Sequence, residues 1–144
     1  MAAKDISKQL DSYVRSLERK IQKAVSFTLH QIANRIFQEA MGALPSGSAN
    51  LRASFRMVVN DQTGQIEIYS DSVIAAYVEF GTGRYAAAYL SGKPQEMVDE
   101  AMKFYVNGEG NMPAQPYLYP AYFRWRDRIV PEIDKAIQKV LDAA

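Results

Sequence analysis

His30 is the one histidine among 144 residues, and there are no cysteines, so acid–base, nucleophilic or metal chemistry would have to be built around a single imidazole. A triad or metal site needs companions at set spacings, and no HExxH or DxDxDG pattern is present. His30 follows Leu29 and precedes Ile32 at the edge of an apolar stripe, a position that suits a half-buried histidine packed in a helix interface. The run Phe80-Gly81-Thr82-Gly83-Arg84 offers a second kind of chemistry, because glycines let backbone N–H groups approach an anion and Arg84 could pair with it. It lacks a GK[ST] ending and a third glycine at dinucleotide-binding spacing, and a helical segment precedes it where both motifs require a strand. The glycines are therefore expected to end a short helix and turn the chain with positive φ. A small anion- or nucleotide-binding module using the Gly81–Arg84 turn is the alternative function this leaves.

Two carboxylates, Glu67 and Glu79, invite comparison with a hydrolytic pair, but one falls on a hairpin and the other on a short helix, with nothing to fix their separation. Glu79, flanked by Val78 and Phe80, reads as a carboxylate near an apolar cluster that needs a partner such as Arg84 or Arg52. Arg15, Arg19, Lys20 and Lys23 form a basic cluster on one helix face with no aromatics interleaved, as a solvated face would. A duplex-binding monomer would instead show tight, salt-dependent association. Pro113-Ala114-Gln115-Pro116 is formally a PxxP ligand. The density of Tyr117, Tyr119 and Tyr122 behind it favours a stiff extended arm that buries its aromatics. No catalytic residue, metal site or cofactor is expected.

The elements that must position these residues follow from periodicity and punctuation. At 48% apolar and 23% charged residues, the composition is that of one globular domain, 1–144. No apolar run approaches a membrane span and no signal-peptide core opens the chain, so a cytosolic protein with no membrane partner is expected. Net charge is +1, yet residues 1–60 carry nine Lys/Arg against four Asp/Glu, and residues 61–123 carry three against eight. A basic first part beside an acidic middle suits pairing between molecules.

From Asp5 to Gly42, apolar residues recur at steps of three and four, which predicts a long amphipathic helix over 1–42, with a break or a projecting end. Gly42 to Asn50 reads as a loop. Alternation in Ala53–Asn60 and Gln65–Ser70 across Asp61-Gln62-Thr63-Gly64 predicts a β-hairpin. Val73–Phe80 reads as a short helix with Asp71 or Ser72 as its N-cap and Gly81 as its stop. Residues 84–112 form a variable insertion, with Pro94–Met102 expected to be helical and Lys103–Val106 a strand. Pro120 sits in the first turn of a final helix that Pro131 bends or restarts. The fold class is α+β: a long N-terminal helix, a small antiparallel sheet built on the hairpin, and a kinked C-terminal helix.

The order of these pieces resembles a known family. A basic helix precedes a loop containing Pro45-Ser46-Gly47-Ser48 and Leu51-Arg52, then a hairpin, then Ala76-Tyr77-Val78-Glu79-Phe80-Gly81-Thr82-Gly83. Pro113-Ala114-Gln115-Pro116-Tyr117-Leu118-Tyr119-Pro120-Ala121 then enters the last helix. This is similar to the gene-product-ten-like tail components of lambdoid siphophages, over roughly residue 44 to the C-terminus, with the first helix agreeing in kind. The resemblance implies a structural virion protein of the phage neck, a head–tail joining or tail-completion subunit of the tail-terminator type. It implies a homo-oligomeric ring of about six or twelve copies around the DNA channel. Its partners would be the head-side connector or head-closure protein and the tail tube protein, with non-specific contact to packaged DNA. Ring interfaces are heterologous, so Arg52, Arg56 and the first helix are expected to face Glu96, Asp99 and Glu100 of a neighbour.

Overall fold

The computed structural model describes residues 3–104 and 109–144. Its elements are α1 (Ala3–Gly42), α2 (Ala49–Ala53), β1 (Phe55–Asn60), β2 (Gln65–Ser70), α3 (Val73–Phe80), α4 (Gly83–Leu90), α5 (Gln95–Met102) and α6 (Leu118–Ala143). This is the α+β arrangement expected, with a long helix at each end and one antiparallel hairpin between them. Two compact units result, one formed by α1 through Ile32 together with the chain from Arg126 onward, the other by Ala33–Trp125.

The helix α1 is unbroken, because no proline or glycine interrupts it before Gly42; its 40 residues correspond to about 60 Å of helical rise. Residues 5–15 are all exposed, and partial burial begins at Ser16 and recurs at Leu17, Ile21, Ala24, Val25 and Leu29. The last helix shows a matching stripe, half-buried at Ile129, Ile133, Ala136, Ile137 and Val140. Pro131 lies inside α6, which continues through it as one helix; the proline has no N–H for the Asp127 carbonyl.

The second unit holds most of the core. Ala76, Phe80, Leu90, Met97 and Ala101 form a buried cluster, with Tyr89, Val98, Phe104, Tyr119 and Phe123 packed against it. Ser72 caps α3 by accepting from the Ile74 N–H at 3.3 Å. The hairpin pairs Phe55 with Ser70 through Asn60 with Gln65, so Met57, Val59, Ile66 and Ile68 share one face and Arg56, Val58, Glu67 and Tyr69 the other. Its base is tied by the Ser54 and Ser70 hydroxyls at 2.6 Å.

Three local expectations change. Residues 49–53 form α2 where a loop was expected, and the buried Leu51 fixes it. The variable insertion opens with α4, an alanine-rich helix where none was expected, and continues with α5, the helix expected over Pro94–Met102, for which Pro94 is the N-cap. Lys103 and Phe104 make a turn and not the start of a strand, because their N–H groups return to Glu100 and Ala101 at the end of α5; Tyr105 and Val106 lie outside the described residues.

Candidate functional site

The two sequence motifs meet at one joint. Gly81 ends α3 with φ 77°, and the chain from Met112 to Gln115 runs directly alongside. The Thr82 N–H donates to the Met112 carbonyl at 2.9 Å, the Met112 N–H to Thr82 Oγ1 at 2.8 Å, and the Gln115 N–H to the Val78 carbonyl at 2.7 Å. A Cβ at position 81 would stand 2.8 Å from the Ala114 nitrogen and 2.9 Å from the Met112 oxygen. Glycine is thus required twice, for the positive φ and for the close approach of backbone.

Glu79 is the buried charged residue of this joint, 2% exposed. Its carboxylate does not pair with Arg84 or Arg52, as the sequence suggested. Oε2 accepts from the Tyr117 and Leu118 N–H groups at 2.8 and 2.9 Å, and Oε1 accepts from the Tyr119 N–H at 3.0 Å. These donors open α6, so the carboxylate caps a helix that begins 39 positions downstream, where both orphan N–H groups and the helix dipole favour an anion. Burial pushes the Glu79 carboxyl above its usual range, and the three N–H donors hold it back. Tyr117, 2% exposed, donates from its hydroxyl to the Ala75 carbonyl at 2.8 Å and meets Phe55 edge-on at 5.5 Å. Desolvation, and then the Glu79 charge, push its phenol far up. Tyr119 packs at a tilt against Phe80 and Phe123, its phenol raised to about 12 by burial first and acidic neighbours second.

The remaining residues singled out in the sequence fall around this joint or away from it. Phe80 is in the core, Tyr77 is half-buried, and Gly83 (φ 55°) is buried at the first turn of α4. Pro113 is exposed, while Pro116 and Pro120 are half-buried. In the proposed anion turn the Gly81 N–H is spent on the Tyr77 carbonyl and the Thr82 N–H on Met112. Arg84 lies over the Tyr85 ring at 4.9 Å and donates to its hydroxyl. Arg52 donates to the Met41 carbonyl at the end of α1, and Arg56 to the Ala53 and Phe55 carbonyls. On α5, Asp99 accepts from Gln95, Glu100 pairs with Lys103 at 2.7 Å, and Glu96 is exposed. His30 is half-buried on α1.

One cluster carried no sequence signal. Glu39 of α1 accepts from Trp125 Nε1 at 2.9 Å and pairs with Arg124 at 2.9 Å, and the Arg35 guanidinium lies 5.3 Å from the centre of the Trp125 ring. Eighty-six positions separate Glu39 from Trp125, a distance that no local spacing rule covers. Among the described residues no three His, Asp or Glu side chains are placed to hold a metal ion, and no helix is long and apolar enough to cross a membrane.

No curated protein and no solved structure matches the chain. A family match does, over residues 5–81, more than half of the sequence. It takes in the first helix, the hairpin and α3 and ends at Gly81, so its weight lies further toward the N-terminus than the motif resemblance had placed it, and the Pro113–Ala121 arm lies beyond it. With the long basic helix, the hairpin and the Glu79–Gly81 helix stop inside the matched region, the chain belongs to the HK97-gp10-like family of bacteriophage tail components.

Proposed function

We propose that this tail component is an architectural, non-catalytic subunit of the virion neck, acting in head–tail joining or tail completion in the manner of a tail terminator. Copies form a ring around the DNA channel, between the head-side connector and the tail tube, and touch packaged DNA non-specifically. The observation that carries this reading is the use made of Glu79: the buried carboxylate at the joint accepts from three backbone donors and holds two chain segments together. A carboxylate so buried and so engaged positions backbone. Family membership supplies the virion context.

A ring needs two different faces on each subunit. The basic helix α1 with Arg52 and Arg56 on one copy, opposite Glu96, Asp99 and Glu100 of α5 on the next, would give faces of opposite charge. Sedimentation and negative-stain electron microscopy of the purified protein, alone and mixed with tail tube protein, test the proposal. Rings that cap tubes are the expected result. A protein that stays monomeric with both the tube and the connector, or that binds phosphate saturably in a manner lost in Arg84→Ala, would overturn it.

A further inference from the structure

Two apolar tracts of this chain lack a complete cover, and they are suited to each other. The first is on α1, where Ile6, Leu10 and Tyr13 are 59%, 60% and 55% exposed and lead into the half-buried Leu17. Their spacing of four, three and four residues places them in one stripe along the helix. Residues 5–15 have no buried member, so these turns gain nothing from a core within their own unit. The second tract is the Met57, Val59, Ile66 and Ile68 face of the hairpin, whose four side chains are only half-buried. A sheet of two strands is marginal in water unless a further strand or a helix covers one face. Among the described residues β1 and β2 pair only with each other.

Length and charge indicate what covers each. From Ile6 to Leu17 the stripe runs about 16 Å at the helical rise, and a six-residue strand runs about 17 Å. Asp5–Lys23 carries five basic residues against three acidic ones. On the hairpin and its flank, Asp61 in the turn and Asp71 beyond β2 stand at the two ends of the strands, while Glu67 and Arg56 lie on the opposite face, Arg56 folded onto the Ala53 and Phe55 carbonyls. A helix meeting its own copy would bring Arg15 and Arg19 toward like charges, and a like-with-like contact does not propagate around a ring.

We infer that the Ile6–Leu17 stripe of α1 docks on the Met57/Val59/Ile66/Ile68 face of the hairpin in a second copy of this chain. The inference rests on the homo-oligomeric reading above and specifies one of its contacts. Because the chain has no cysteine, the test is clean. Leu10→Cys and Ile66→Cys are prepared separately, mixed as dissociated subunits, allowed to assemble together and oxidised. A disulfide-linked pair of chains that forms in the mixture and in neither variant alone is the expected result. A linked pair in Leu10→Cys alone, or no link in a mixture that still forms rings, overturns the docking and leaves the ring reading intact. Wild-type protein that stays monomeric under all conditions overturns both. As a second readout, Leu10→Asp/Tyr13→Ser, which alters only exposed positions, should keep the helical circular dichroism of wild type and lose oligomer mass; unchanged mass would count against the docking.

Discussion

Glu79 shows how one side chain carries a structural joint. Its carboxylate takes three N–H groups at the start of α6, so Glu79→Ala leaves those donors without an acceptor in a buried setting. A loss of about 3 kcal/mol is expected, combining a lost helix cap with an orphaned buried donor, and urea denaturation midpoints would measure it. The pH dependence has a definite sign. Burial raises the folded-state pKa above 4.5, so the folded protein holds this proton more tightly than the unfolded chain, and the contribution of Glu79 to stability falls as pH rises through the window above 4.5. Glu79→Gln does not titrate. Its penalty relative to wild type should therefore be largest in acid and shrink toward neutrality, and a penalty that grows with pH would show that the hydrogen bonds outweigh desolvation. At Gly81, alanine meets both a positive φ and backbone within 3 Å, so Gly81→Ala should cost about 3 kcal/mol by the same assay. The sequence revealed that Glu79 needed a partner and that Gly81 ended a helix. It did not reveal the partner, because backbone N–H groups nearly forty residues away have no residue type to recognise.

Elements were legible in proportion to the length and purity of their period. The hairpin alternates over six residues on each side of a four-residue turn, and β2 spans the predicted Gln65–Ser70. The stripes of α1 and α6 repeat over many turns, so their phase survives local exceptions, Pro131 included. The helix α4 was hidden by its own start: Gly83 and Arg84 read as the end of a glycine turn, although Ala86, Ala87 and Ala88 behind them are the best helix formers available. The expected strand from Lys103 rested on four residues, too few for alternation to outweigh the carbonyls left open at the end of α5. Pro131 makes a prediction at this scale. It sits exposed in the interior of α6 and forgoes one helical hydrogen bond, so Pro131→Ala should stabilise the helix by about 1 to 3 kcal/mol, seen as a higher Tm with unchanged or greater helicity. A lower Tm would mean that the path α6 takes through the proline is itself needed by the fold.

For the whole molecule, charge and apolar surface would make separable contributions to the proposed ring. Residues 1–60 are net basic and 61–123 net acidic, but several of the charges proposed to pair between copies already have partners in their own chain. Arg52 and Arg56 hold backbone carbonyls, and Glu100 holds Lys103. The Arg56–Ala53 and Glu100–Lys103 contacts are exposed and contribute little to folding, so they can exchange for an intermolecular pair at small cost. Their attraction is screened as the Debye length falls from about 10 Å at 0.1 M salt to about 3 Å at 1 M. Contacts of the Ile6–Leu17 kind are not screened in this way, because burial of apolar surface does not depend on ionic attraction. Oligomer mass followed by light scattering from about 0.1 to about 1 M sodium chloride should therefore fall if opposed charges set the ring, with the fall reduced in Arg56→Gln. Mass that holds constant across that range would remove the charge-pairing account while leaving apolar docking as the force between subunits. Mass that rises with salt would point to the same conclusion more strongly, since ionic attraction is weakened by screening and apolar burial is not.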